Sequence, residues 1–99
     1  MGNEWAYIQG GVFMKEAVFK VALETGLHAR PAGIFVKAAG AFKSRIDVLA
    51  HGRTAPAKSI VGLMGLGAEK GDEVTIQAEG PDEEQAVKAL GAYLTGEKQ

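Results

Sequence analysis

The sequence predicts an α+β fold: an open-faced β-sandwich in which a four-stranded antiparallel sheet carries three helices on one face, in the order β-α-β-β-α-β-α. Three observations predict it. Apolar residues recur at every second position over residues 17–23, 45–50 and 74–78, the period-two signature of half-buried strands. Apolar residues recur at i, i+3, i+4 and i+7 over residues 29–42 and again over 83–94, the signature of amphipathic helices. Each strand keeps one polar face, which suits an antiparallel sheet covered on a single side.

In the first strand Ala17, Phe19, Val21 and Leu23 share a face, with Lys20 and Glu24 opposite, and Thr25-Gly26 breaks the pattern. The first helix puts Ala32, Phe35, Val36 and Ala39 inward. Pro31 sits in its first turn, where a missing N–H costs nothing, while Gly33 and Gly40 weaken it. Ile46, Val48 and Ala50 form the inner face of the second strand. His51-Gly52 is a tight turn, with His51 in a position that tolerates positive φ, and a short return strand starts at Arg53. Ser59 is a strong candidate N-cap for a short helix that is apolar nearly all round. Val74, Ile76 and Ala78 line the fourth strand. Gly80-Pro81-Asp82 is a stop followed by an N-cap, and the last helix buries Ala86, Val87, Leu90, Tyr93 and Leu94. Glu83 and Glu84 in its first turn complement the helix dipole.

The chain of 99 residues reads as one domain spanning residues 15–99, preceded by an extension at 1–14. That extension carries Trp5, Tyr7 and Phe13 around a Gly10-Gly11 pair. It reads either as a small hairpin or as a leader that is not native to the domain. Eleven basic and twelve acidic residues give a net charge of −1, which argues against nucleic-acid binding through bulk charge. The absence of cysteine excludes disulfides, thiolate metal sites and thiol nucleophiles. No apolar run is long enough to span a bilayer, and the expected location is cytoplasmic. No cofactor or metal is expected.

The segment most suggestive of chemistry is Gly26-Leu27-His28-Ala29-Arg30-Pro31. A histidine directly before a helix lies beside the unpaired amides of the first turn, which form an anion site with the helix dipole. One ring nitrogen can attack a phosphoryl group while the helix end and the planar fork of Arg30 hold its oxygens. The neutral imidazole exists at cellular pH, and positive neighbours favour that form. Such a site transfers phosphoryl groups by positioning and charge stabilisation, without a metal. Taken alone, the same histidine also reads as an ordinary surface or capping residue.

Gly26-Leu27-His28-Ala29-Arg30-Pro31-Ala32 resembles the active-site motif of the HPr family, the histidine phosphocarriers of the bacterial phosphoenolpyruvate-dependent sugar phosphotransferase system. The stretch from Ala57 to Gly67, AKSIVGLMGLG, resembles that family's second signature, a regulatory serine and its helix. The separation of His28 and Ser59 and the order of elements fit as well. The resemblance implies that His28 carries the phosphoryl group on Nδ1, with Arg30 as its charge partner and Thr25, Ala29 and Pro31 shaping the phosphate pocket. It implies enzyme I as donor and sugar-specific IIA domains as acceptors. It also implies Ser59 as a regulatory phosphorylation site, with HPr kinase/phosphorylase and a transcriptional regulator as further partners. On the residues alone, Ser59 is a plain N-cap.

Ile60, Val61 and Met64 cannot all be buried with Leu63 and Leu66 on so short a helix. The exposed remainder is a candidate docking patch beside His28. Gly33, where relatives often carry a hydroxyl residue, and Gly65 depart from the family pattern. A carrier that signals, such as one of the nitrogen branch, and a module acting through Ser59 alone are the competing functions. Regulatory members of the second kind replace the active-site histidine, which this chain keeps.

Overall fold

Alternation along each strand sends one set of side chains to a common face, and cross-strand register decides whether those sets meet. The structure, a computed structural model, describes residues 14–97. It contains β1 (Lys15–Lys20), α1 (Ala29–Ala39), β2 (Arg45–Ala50), β3 (Arg53–Pro56), α2 (Ile60–Gly65), β4 (Glu73–Glu79) and α3 (Glu83–Leu94). The strands form one antiparallel sheet in the order β1-β4-β2-β3. Register places Ala17 opposite Ile76, Ile76 opposite Val48, and Val48 opposite Ala55, so one apolar row crosses all four strands. A slip of one residue would turn every member of a strand's row to water.

The helices cover that face and close one core, in which Phe35, Leu63, Leu90 and Leu94 join Val48, Val74 and Ile76 as fully buried side chains. The predicted fold class and element order therefore hold. So do the inward residues of the last helix, apart from Tyr93, which is only partly buried. The possible hairpin around Gly10-Gly11, with Trp5, Tyr7 and Phe13, lies outside the described residues. Among the described residues no helix is long and apolar enough to cross a membrane.

Two element ends come earlier than the sequence reading has them and one cap works differently, each for a physical reason. Strand β1 ends at Lys20, although alternation continues to Leu23. Beyond it the backbone is claimed by other elements: Val21 N–H donates to Asp72 O, Gly71 N–H to Val21 O, and Ala22 N–H to Leu94 O. Helix α1 ends at Ala39 instead of Phe42. After Gly40 the chain tightens, with Ala41 and Phe42 donating to carbonyls three residues back. Asp82 stands at the N-cap of α3 but makes no capping bond with its side chain. Its carboxylate instead accepts from the Lys43 amide (2.9 Å), the Ser44 amide (3.0 Å) and the Ser44 hydroxyl. The end of the α1–β2 connection is thereby tied to the start of α3. Glu83 acts beyond its dipole role: its carboxylate accepts from the Gly80 amide at 3.0 Å.

These carboxylates set the acid behaviour. Asp82 is held below the usual carboxylate range, first by the Ser44 hydroxyl and then by the Lys43 amide. Asp72 is lowered by the Glu69 amide and then by His51, and Glu24 by Lys70. A carboxylate with a depressed folded pKa contributes stability that is complete above its unfolded value. That stability disappears as pH falls through the folded one, because the unfolded chain then binds more protons. The urea midpoint is expected to fall steadily below about pH 4. In Asp82→Asn the loss over that window should be smaller, as read by urea titrations at successive pH values.

Helix α1 carries an avoidable weakness. Gly33 is internal to the helix, and a Cβ there would meet no atom within 4 Å. Gly33→Ala is expected to raise the unfolding free energy by about 0.5–1 kcal/mol, measured by urea denaturation.

Candidate functional site

The site is built where β1 gives way to α1. After Val21 the chain turns through Leu23–Gly26, closed by a bond from Gly26 N–H to Leu23 O at 3.0 Å. Gly26 has φ +70, and a Cβ on it would overlap the Ala68 carbonyl oxygen and lie 2.8 Å from Glu69 Cα. Only glycine lets the two loops come this close. The contact is sealed by Leu27 N–H donating to Ala68 O at 3.0 Å, with both residues about as buried as core side chains.

His28 follows as the N-cap residue of α1, in extended conformation (φ −85, ψ −171). Its carbonyl accepts from the Ala32 amide at 2.8 Å, so the backbone starts the helix. Its side chain makes no capping bond, and the ring is 60% exposed. Ala29 and Arg30 occupy the first two helical positions, and their amides have no partner among the described residues. Pro31, half-buried, comes third and brings no N–H. The anion site offered by the helix end thus consists of two amides beside an exposed imidazole. No acidic residue stands in the first turn to oppose an anion.

Arg30 is exposed, and its guanidinium makes no hydrogen bond or ion pair within the described residues. It is a cation held on the same turn and free to meet a ligand. Thr25 is exposed in the preceding turn. The structure adds a residue that sequence reasoning passed over. Glu69 Oε2 lies 3.4 Å from His28 Nε2, between two well-exposed side chains. The two residues are 41 positions apart, and only the Gly26–Ala68 approach brings them together.

Ser59 is the N-cap of α2, and its Oγ accepts from the Gly62 amide at 3.0 Å. Leu63 and Leu66 are buried as expected. Ile60 and Met64 are exposed, and Val61 is 82% exposed. Ile34, on α1, is exposed as well. The sequence signal for it was present, since an isoleucine off the inward stripe of an amphipathic helix must face solvent or a partner. Helices α1 and α2 pack against each other, and each carries exposed apolar residues on the elements that begin at His28 and Ser59. His51 has the positive φ expected of it (54°), and its Nε2 lies 2.8 Å from Asp72 Oδ2.

A family model described as the PTS HPr component phosphorylation site matches residues 15–95. The HPr-like protein Crh of Bacillus subtilis (strain 168) is 44% identical over 84 residues, covering 85% of this chain and 99% of that protein. The phosphocarrier protein HPr of Vibrio cholerae serotype O1 is 47% identical over 81 residues, covering 82% and 95% respectively. Among solved structures, a phosphocarrier protein HPr from Bacillus anthracis str. Ames superposes with a TM-score of 0.80 at 43% identity. That match covers 82% of this chain and 96% of the other.

Proposed function

Since the chain belongs to the HPr family, we propose that His28 accepts a phosphoryl group from phosphorylated enzyme I and hands it to sugar-specific IIA domains in the cytoplasm. The observation that carries this reading is the exposed, uncapped ring of His28 at the head of α1, next to the unpaired Ala29 and Arg30 amides. The Nδ1 lone pair attacks phosphorus while the two amides and the Arg30 guanidinium receive the equatorial oxygens. Pro31 fixes the first turn and with it the direction of those amides, and Thr25 closes the pocket from the preceding turn. An exposed ring suits a carrier that must meet two different partners in succession. The working domain is residues 15–99, with 1–14 as an extension ahead of it.

Partner docking falls to Ile60, Val61 and Met64, with Ile34 exposed on the neighbouring helix. An apolar surface of this size buries little area and releases quickly. Ser59 is a second modification site. A phosphate on an N-cap residue is electrostatically favourable to the helix, so its effect is exerted on the docking surface.

A module that works through Ser59 alone is the competing function, given the 44% identity to the HPr-like protein Crh. The two are separated by incubation with phosphoenolpyruvate, magnesium and enzyme I, followed by a IIA domain. The carrier function requires an acid-labile phosphate on the wild-type protein that passes to the IIA domain. A protein that stays unmodified there, yet gains an acid-stable phosphate from ATP and HPr kinase, is a regulator and not a carrier.

A further inference from the structure

One carboxylate faces the phosphoryl-accepting ring, and its backbone is fixed from several directions. Leu27 and Gly26 hold the 68–69 segment against the loop that carries His28. The Glu69 amide donates to Asp72 Oδ2 at 2.8 Å, and the Asp72 amide returns to Glu69 O at 3.0 Å, closing a turn. His51 Nε2 meets the same Asp72 oxygen at 2.8 Å and ties that turn to the β2–β3 connection. Glu69 thus reaches His28 from a braced turn and not from a free loop.

We propose that Glu69 is a positioning residue for His28: its carboxylate accepts a hydrogen bond from Nε2–H and so presents Nδ1, unprotonated, as the phosphoryl acceptor. This rests on the reading of His28 as the carrier. An ionised carboxylate can only accept hydrogen bonds, so the neutral ring pairs with it only as the tautomer that bears hydrogen on Nε2. The lone pair then resides on Nδ1. In transfer from a phosphoramidate donor, that lone pair forms the new N–P bond as the donor's P–N bond breaks, and the electron pair of the broken bond stays on the donor nitrogen. No proton leaves His28. The ring that now bears the phosphoryl group keeps its Nε2 hydrogen, and the positive charge that arises on it as the N–P bond forms faces Glu69. The carboxylate stands on the Nε2 side of the ring, away from the charge building at Nδ1. Delivery to an acceptor reverses the same step, with Glu69 holding the ring throughout.

The test reads the tautomer directly. Nitrogen-15 NMR of the neutral His28 ring in the wild type and in Glu69→Gln, whose side-chain carbonyl still accepts, should show hydrogen on Nε2. In Glu69→Ala the population with hydrogen on Nδ1 should rise, and phosphoryl uptake from phosphorylated enzyme I should slow about fivefold with an unchanged melting temperature. Glu69→Gln should recover most of that rate. Asp72→Ala, which leaves the ring untouched, should move the tautomer ratio the same way by a smaller amount. A Glu69→Ala ring with the wild-type ratio overturns the assignment, as does a changed ratio with an unchanged rate. Failure of the wild type to take up phosphate counts against the carrier function, and the tautomer comparison still decides the role of Glu69.

Discussion

Gly26→Ala is expected to lower the unfolding free energy by about 2–4 kcal/mol, one of the two largest effects foreseen for any single change here. Part of this comes from the backbone, since alanine at φ +70 lies in the left-handed region at a cost of about 1–2 kcal/mol. The remainder comes from the opposing loop. The atoms a Cβ would strike are the Ala68 carbonyl oxygen and Glu69 Cα, which belong to backbone and cannot swing aside as a side-chain tip does. Moving them apart breaks the bond from Leu27 N–H to Ala68 O and opens two buried residues to water. Gly52→Ala is the matched control. Gly52 has nearly the same φ (72°), but a Cβ there meets nothing within 4 Å, so only the backbone cost of about 1–2 kcal/mol remains. Urea denaturation of both variants measures the difference. Equal losses would show that the loop contact contributes nothing.

This contact also explains which parts of the molecule were legible in the sequence. Strands β1, β2 and β4 and helices α1 and α3 declared themselves through period, because each has one face turned to the core and burial follows directly. The His28 site was legible through a local signal, a histidine at a helix start followed by Arg30 and Pro31. Ser59 was legible for the same reason, as a capping residue ahead of an apolar run. Glu69 was not. Its place beside the ring depends on two loops meeting across the fold, and nothing in the residues around position 69 encodes that meeting. Asp82 is the N-cap that the sequence marks, but the destination of its carboxylate was not legible, for a related reason. A local rule assigns it to its own helix, whereas the buried Ser44 hydroxyl and two amides 38 and 39 positions away claim it instead. The early end of β1 follows the same logic: alternation marks which side chains go inward, but tertiary partners decide where ladder pairing stops. Ile34 was legible in principle, as an apolar residue on the wet side of α1.

His28→Ala is expected to reduce phosphoryl uptake by at least about 10³-fold, to the background of non-specific labelling, while leaving the melting temperature close to that of the wild type. The loss is this large because, in the proposed function, the ring supplies the nucleophile, and no other described side chain near the Ala29 and Arg30 amides can replace it. The fold is spared because the exposed ring makes one long polar contact and no capping bond. Arg30→Ala should slow uptake by about 10- to 100-fold, the effect expected if its exposed charge meets the transferring oxygens as proposed. Arg30→Lys should recover part of that rate, because a lysine keeps the charge but loses the bidentate fork. A stopped-flow or quench assay with phosphorylated enzyme I measures all three.

The most direct measurement is the position of the phosphoryl group in the protein after exposure to phosphorylated enzyme I, read by phosphorus–proton correlation NMR at alkaline pH. A single phosphorus resonance coupled to the ring protons of residue 28, with the pattern of substitution on Nδ1, is the predicted result. A phosphorus signal on any other residue, or none at all from a protein that retains its native fold, would contradict the account.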